Sequence, residues 1–291
     1  MTAPPSSAPP AVEIAATVTR ALAEDVGSGD VTASLVDAAA AVSGRVRCKE
    51  PAVLCGTAWF DEVYRQVDGA IAVTWHFADG DEIAAGAAVC TLAGPARGIL
   101  TGERTALNFL QTLSGTATVA HRFAAAVAGT ATKVLDTRKT LPGLRRAQKY
   151  AVRCGGAENH RQGLYDAVLI KENHIAAAGG ITAAVERAVA AADGLMIEVE
   201  VETLDELREA LATPAHRIML DDFTLDQLRE AVAIRDAMEG AAGGSRKALE
   251  ASGSVDLDTL RALAETGVDY VSIGAMTKNV RAIDFSLRLD D

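Results

Sequence analysis

From about residue 130 onward, short apolar runs alternate with amphipathic stretches. This rhythm constrains the fold more than any other feature of the chain. Runs at 132–135, 167–170, 196–201, 217–220, 248–251 and 270–273 have the length and composition of buried strands. Stretches at 182–192, 203–211, 224–238 and 256–265 carry helical periodicity and separate most of them. Strand-then-helix repetition predicts a parallel sheet with right-handed crossovers, either an open doubly wound sheet or a barrel. The chain contains neither G-x-G-x-x-G nor G-x-x-x-x-G-K-[ST], so no nucleotide fingerprint supports the open sheet.

The residues at the strand ends favour the barrel. The runs end in Asp136-Thr137-Arg138-Lys139, Lys171-Glu172, Asp221-Asp222, Ser252-Gly253 and Gly274. In a barrel these C-terminal ends converge on one face, where active sites are built. Alternation along 196–201 places Glu198 and Glu200 on the face opposite Ile197, Val199 and Val201, which points both carboxylates into the lumen. There they need a Lys or Arg partner, a Mg²⁺ ion or a substrate hydroxyl, with Asp221 close by.

The 28 Lys and Arg against 39 Asp and Glu leave a formal charge of −11, which argues against nucleic acid and anionic membrane as partners. Residues 133–171 reverse that balance, with nine basic residues against three acidic ones. Arg145, Lys149 and Arg153 step by four along a helix, the pattern of a solvated or interface face. Together with Arg138, Lys139, His160, Arg161 and Lys171 they also suit a pocket for a small, multiply anionic ligand. Ser252-Gly253-Ser254 and Ile273-Gly274-Ala275 are either plain turns or a phosphate site of the kind barrels carry at their last two strand ends.

Ahead of the barrel, residues 12–25, 57–67 and 101–113 read as helices, and 44–49 and 71–77 as strands. The proline-rich residues 1–11 read as a disordered lead-in without the character of a signal peptide. Cys48, Cys55, Cys90 and Cys154 are too scattered for a disulfide scaffold or zinc site and read as buried thiols. No apolar run reaches membrane-spanning length, and a soluble cytoplasmic protein is expected.

Three long motifs carry a family resemblance: Thr137-Arg138-Lys139-Thr140-x-Pro142-Gly143-Leu144-Arg145, Glu158-Asn159-His160-Arg161-x-Gly163-Leu164 and Leu169-Ile170-Lys171-Glu172-Asn173-His174-Ile175. With Ile197–Val201, Met219–Asp222, Glu265–Tyr270, Glu24–Thr32 and Gly102–Asn108, the chain resembles the quinolinate phosphoribosyltransferases over nearly its whole length. The resemblance implies an α/β protein with an incomplete, seven-stranded α/β barrel at 116–277. An N-terminal open-faced α/β sandwich would occupy 12–115, with the tail 278–291 packing back on it. It implies a homodimer whose active sites are completed by the partner, and a Mg²⁺ cofactor. Arg104 (from the partner), Thr137, Arg138, Lys139, His160, Arg161 and Lys171 would bind quinolinate. Glu200, Asp221, Ser252, Gly253, Ser254, Ile273, Gly274 and Ala275 would bind phosphoribosyl pyrophosphate, with Glu200 and Asp221 meeting Mg²⁺. Catalysis would fall to Lys139, Lys171, Glu200 and Asp221.

The chain departs from the family pattern at Ala157-Glu158, Glu172, Ser254 and a glycine-rich stretch, 238–247, that reads as a loop insertion. The span 235–245 around it reads as a surface elaboration. Met219–Asp222 also resembles the acidic strand end of Rossmann-like phosphoribosyltransferases. The Thr224 helix cap that comes next, in place of a phosphate loop, disfavours that fold. Two rival functions remain: the same fold acting on nicotinate or another anionic ring, and a non-catalytic anion-binding barrel.

Overall fold

A computed structural model describes residues 8–192, 194–242 and 246–290. In chain order the elements run α1 (Ala11–Val26), β1 (Ala41–Cys48), β2 (Ala52–Val53), α2 (Thr57–Val67), β3 (Ala72–Trp75), β4 (Glu82–Ile83), β5 (Ala88–Pro95), α3 (Ala96–Ala126), β6 (Lys133–Leu135) and α4 (Arg145–Cys154). They continue with β7 (Ala167–Ile170), α5 (Glu172–Ala178), α6 (Ile181–Ala191), β8 (Met196–Val201), α7 (Leu204–Leu211), β9 (Arg217–Asp221), α8 (Leu225–Ala242), β10 (Ala248–Ser252), α9 (Leu257–Ala264), β11 (Tyr270–Ser272), α10 (Ala275–Lys278) and β12 (Phe285–Leu289).

The chain forms two compact units. One comprises 1–121, 140–156 and 276–291; the other comprises 122–139 and 157–275. The division at 121/122 falls inside α3, because that helix runs far past the expected 101–113. α4, with the basic stripe Arg145, Lys149 and Arg153, belongs to the first unit, and Lys149 is fully buried.

The first unit has an antiparallel sheet in the order β12-β1-β5-β3 and a small β2-β4 pair. Its core gathers Trp59, Phe60, Val63 and Tyr64 from α2, Val46 and Cys48 from β1, and Leu107, Leu110 and Leu113 from α3. The alternation that predicts a strand at 44–49 is visible in the burial of Gly44, Val46 and Cys48 against exposed Arg45 and Arg47. β12 joins β1 in antiparallel register from Gly44↔Leu289 to Cys48↔Phe285, so the C-terminal tail completes this sheet.

In the second unit the parallel order is β6-β11-β10-β9-β8-β7. The first strand therefore lies beside the last, as in a barrel. Leu135 makes an isolated parallel bridge to Glu158, which supplies a seventh position in place of a full strand. Every strand position neighbours its successor in the chain except Glu158 and β7, where the barrel stays open. Capping fixes the crossover helices: Thr203 and Glu206 form a capping box at α7, and Asp256 and Thr259 form one at α9.

Candidate active site

Apart from Arg104, all the residues expected to bind substrate belong to the barrel unit. They lie at the C-terminal ends of its strands or on the adjoining loops. Arg104 is exposed on α3 of the other unit. At the end of β6, the Lys139 N–H donates to Thr137 Oγ1 at 3.1 Å, which turns the chain sharply after the strand. The last strand end meets this turn. A Cβ on Gly274 would stand 3.0 Å from Lys139 Cδ and 3.4 Å from Thr137 Oγ1, so glycine is what lets the two loops close on each other. The neighbouring Ile273 N–H donates to the Leu135 carbonyl at 2.8 Å.

Lys171 ends β7 and caps α5, where its backbone N–H donates to His174 Nδ1 at 3.0 Å. Its ammonium ion-pairs with Glu200 on the adjacent strand β8. Among the partners open to the lumenal glutamates, Glu200 thus has a lysine. Asp221, at the end of β9, lies in register with Ser252 of β10. Asp222 comes next with φ 54°, the one non-glycine positive φ among the described residues. Its N–H donates to the Ser252 carbonyl at 3.0 Å, and Gly253 leaves room for its carboxylate. Strained backbone of this kind concentrates at functional sites, and here it sits between the ends of β9 and β10.

Arg138 and Arg161 act on each other electrostatically. Burial first, and the Arg138 guanidinium second, hold the Arg161 pKa below its ordinary value. The Arg161 Nη1 donates to the Ala167 carbonyl at 3.3 Å. Two partly buried guanidinium groups that act on each other suit an anion with more than one carboxylate, which would neutralise both.

The loop carrying Arg161 hangs on an acid that sequence reasoning did not single out. Asp136, fully buried, accepts from Asn159 Nδ2 at 2.7 Å and from the His160 N–H at 2.9 Å. His160 itself is buried, and its Nε2 lies 3.0 Å from Glu198 Oε2 and 3.5 Å from Glu250 Oε1. Its Nδ1 accepts the Arg161 N–H at 2.8 Å. Glu250 and Arg217 were also missed. They join at 2.9 Å, with the Arg217 guanidinium 4.1 Å from the Tyr270 ring centre. Burial, then the neighbouring Glu198 carboxylate, pushes the Glu250 pKa up to about 7, and burial raises that of Glu198. Alternation along β10 was the available signal: it aims Glu250, like Glu198, at the lumen.

The 238–247 stretch differs from its expectation. α8 continues to Ala242, and Arg235, expected at the surface, is 1% exposed and bonds Asp269 at 2.7 Å. Residues 243–245 of that stretch, and residues 1–7 of the expected lead-in, lie outside the described residues.

Comparison with known proteins agrees with this architecture. Residues 30–114 match the family profile "Quinolinate phosphoribosyl transferase, N-terminal domain", and residues 116–288 match its "C-terminal domain" counterpart. The chain belongs to the quinolinate phosphoribosyltransferase family. The nicotinate-nucleotide pyrophosphorylase [carboxylating] of Mycobacterium leprae is 43% identical over 94% of this chain and 96% of its own. A "probable" enzyme of the same name from Bacillus subtilis is 39% identical over 91% and 89%. Among solved structures, the nicotinate-nucleotide pyrophosphorylase of Francisella tularensis superposes with a TM-score of 0.92 at 45% identity, covering 97% of this chain and 98% of that one. With these neighbours the fold is the family's two-domain α/β barrel. The quinolinate phosphoribosyltransferase fold thus supplies the frame for the strand-end residues above. No described helix is long and apolar enough to cross a membrane.

Proposed function

We propose that this chain joins quinolinate to phosphoribosyl pyrophosphate, releasing pyrophosphate and CO₂ to give nicotinate mononucleotide. Two observations support this reading: the Arg138 guanidinium acts electrostatically on Arg161, and Lys171 is ion-paired with Glu200, all four residues lying at barrel strand ends or on the loops after them. Quinolinate is a dicarboxylate, and Arg138, Arg161 and Lys171 would neutralise it. Nicotinate lacks the 2-carboxylate and would leave part of this charge unmatched, a defect able to give about 10⁴-fold discrimination. Lys139, with Thr137 and Gly274, would stand where the two substrates meet. Asp221, Ser252, Gly253, Ser254, Ile273, Gly274 and Ala275 would take the phosphoribosyl moiety, the glycines letting backbone N–H groups approach the 5′-phosphate.

As the bond between C1′ and pyrophosphate breaks, positive charge develops on the ribose. The carboxylates of Glu200 and Asp221 would stabilise it. The ring nitrogen attacks C1′ and becomes positive. The C2–carboxylate bond then breaks and CO₂ leaves. The bond's electron pair stays on C2, where the adjacent positive nitrogen stabilises it, and a proton takes the place of the carboxylate. The carboxylate oxygens of Glu200 and Asp221 have the chemistry of a hard divalent ion's ligands, and Mg²⁺ is the ion we assign. When bound, it would neutralise charge on the leaving pyrophosphate. A homodimer in which the partner's Arg104 reaches the quinolinate carboxylates, and a cytoplasmic location consistent with four free cysteines, complete the proposal.

The test is direct. Incubation with quinolinate, phosphoribosyl pyrophosphate and Mg²⁺ should release CO₂ and the mononucleotide. Turnover with nicotinate but not quinolinate would defeat the assignment. Binding of both substrates without product would favour the non-catalytic rival.

A further inference from the structure

We propose that Asp136 is a positioning residue for anion recognition: its carboxylate braces the loop of Asn159, His160 and Arg161 against the turn that carries Arg138, and so fixes where the two guanidinium groups are rooted. The identity of the anion rests on the quinolinate reading above; the brace itself rests on the hydrogen bonds of one side chain.

The barrel itself creates the need for a brace. β6 pairs with β11 on one side, but on the other it meets the isolated bridge between Leu135 and Glu158 in place of a strand. Two main-chain bonds make that bridge. The Asp136 N–H donates to the Glu158 carbonyl at 3.0 Å, and the Glu158 N–H donates to the Val134 carbonyl at 2.8 Å. A full strand would carry the ladder past this point and hold the next residues by their backbone. Here the Asp136 side chain takes over. Its Oδ1 accepts the His160 N–H at 2.9 Å, and its Oδ2 accepts from Asn159 Nδ2 at 2.7 Å.

The residue type suits the task. An ionised carboxylate accepts at both oxygens, so it meets donors from two consecutive residues at once. Asp136 is 0% exposed, and a carboxylate is costly to bury unless such bonds oppose the cost. What stands next to it in the chain explains its use. Arg138 follows Asp136 by two positions and Arg161 follows His160 by one, so a single carboxylate sits at the root of both arginines. The two guanidinium groups act on each other electrostatically, and like charges move apart unless their roots are fixed. Farther out, Arg161 is held where its Nη1 donates to the Ala167 carbonyl at 3.3 Å. The brace thus fixes the start of the side chain, and the carbonyl fixes its end.

The test compares Asp136→Ala with Asp136→Asn in the full-length enzyme. The Asn amide oxygen can still accept the His160 N–H, whereas Ala cannot. Asp136→Ala should raise KM for quinolinate about 10-fold, with kcat and KM for phosphoribosyl pyrophosphate changed less than about 3-fold. Asp136→Asn should bring the quinolinate KM back to within about 3-fold of wild type. Because the brace acts through Arg161, adding Asp136→Ala to Arg161→Ala should cost less than about 3-fold more. Full multiplication of the two losses, equal changes in all constants, or an unaltered quinolinate KM would overturn the proposal. Should Asp136→Ala fail to fold, Asn159→Ala removes the Oδ2 contact alone; it should raise the quinolinate KM about 5-fold, and no rise would overturn the proposal equally. Amide hydrogen exchange at His160 in the unliganded wild type needs neither variant nor turnover. Slow exchange is expected, and exchange as fast as in an exposed loop would overturn the brace. Absence of turnover in the wild type would count against the quinolinate reading and leave the exchange measurement to decide the brace.

Discussion

The Lys171 ammonium is ion-paired with the Glu200 carboxylate across the adjacent strands β7 and β8, with the lysine side chain 43% and the glutamate 7% exposed. A pair so placed can hand the lysine to an incoming anion while the carboxylate turns to a developing cation. Lys171→Met and Glu200→Gln should each lower kcat/KM by about 100-fold or more, and the double variant should lose much less than the product. Steady-state kinetics of the three variants check this; multiplicative losses would show that the two side chains act independently.

Arg161→Ala should raise KM for quinolinate by about 100-fold, since a charge-assisted bond to a substrate carboxylate is lost, while binding of phosphoribosyl pyrophosphate is little affected. Arg138→Ala should behave alike. Titration calorimetry of quinolinate against each variant gives the comparison, and unchanged affinity in both would refute the dicarboxylate recess.

Gly274→Val puts methyl groups where Lys139 Cδ and Thr137 Oγ1 now come within 3.0 and 3.4 Å of a Cβ. Lys139 can move, so stability should change by no more than about 1 kcal/mol, while kcat/KM should fall at least about 10-fold. Denaturant unfolding and kinetics on the same preparation separate the two effects.

Glu250 makes stability depend on pH. Its carboxyl titrates near an ordinary 4.5 when unfolded and at about 7 when folded, so between those values the native state holds a proton that the unfolded chain has released. The stability this proton represents is fully present below about 4.5 and is lost as pH rises through 7. Glu250→Gln should flatten that decline. Chemical denaturation between pH 5 and 8 measures it, and a profile identical to wild type would show that another group is responsible.

Arg235→Ala removes the buried partner of Asp269, which keeps the exposed Arg246 and the Leu249 N–H at 2.8 Å, and leaves a cavity where the buried guanidinium stood. A loss of about 3 kcal/mol is expected, against activity preserved in the folded fraction. A surface residue would cost under about 0.5 kcal/mol, so equilibrium unfolding discriminates clearly.

Much of this architecture was written in local patterns. Ala167–Ile170 and Met196–Val201 appear as strands at the bounds their periodicity sets, and Thr57–Val67 as a helix at its own. The polar strand ends are local too, because the residue after a strand occupies the barrel mouth whatever the rest of the chain does. Boundaries set by long-range packing were less visible. α3 runs from Ala96 to Ala126 through a unit boundary, and α8 extends over a stretch whose glycines suggest a loop.

Local pattern alone was enough to favour the barrel and to place charged residues at its strand ends, while the long motifs carried the family resemblance. Periodicity and strand-end chemistry depend on neighbours a few positions apart, so one chain suffices to read them. How those charges pair emerged only in three dimensions. Lys171 meets Glu200 over 29 positions, and Glu250 meets His160 over 90, through the lateral closure of a sheet. The fold also buried Lys149 and His160. The physical reason is common to all of them. A charged side chain in low dielectric takes its meaning from whichever opposite charge or dipole the fold brings within about 4 Å, and that distance is not a local property of the sequence.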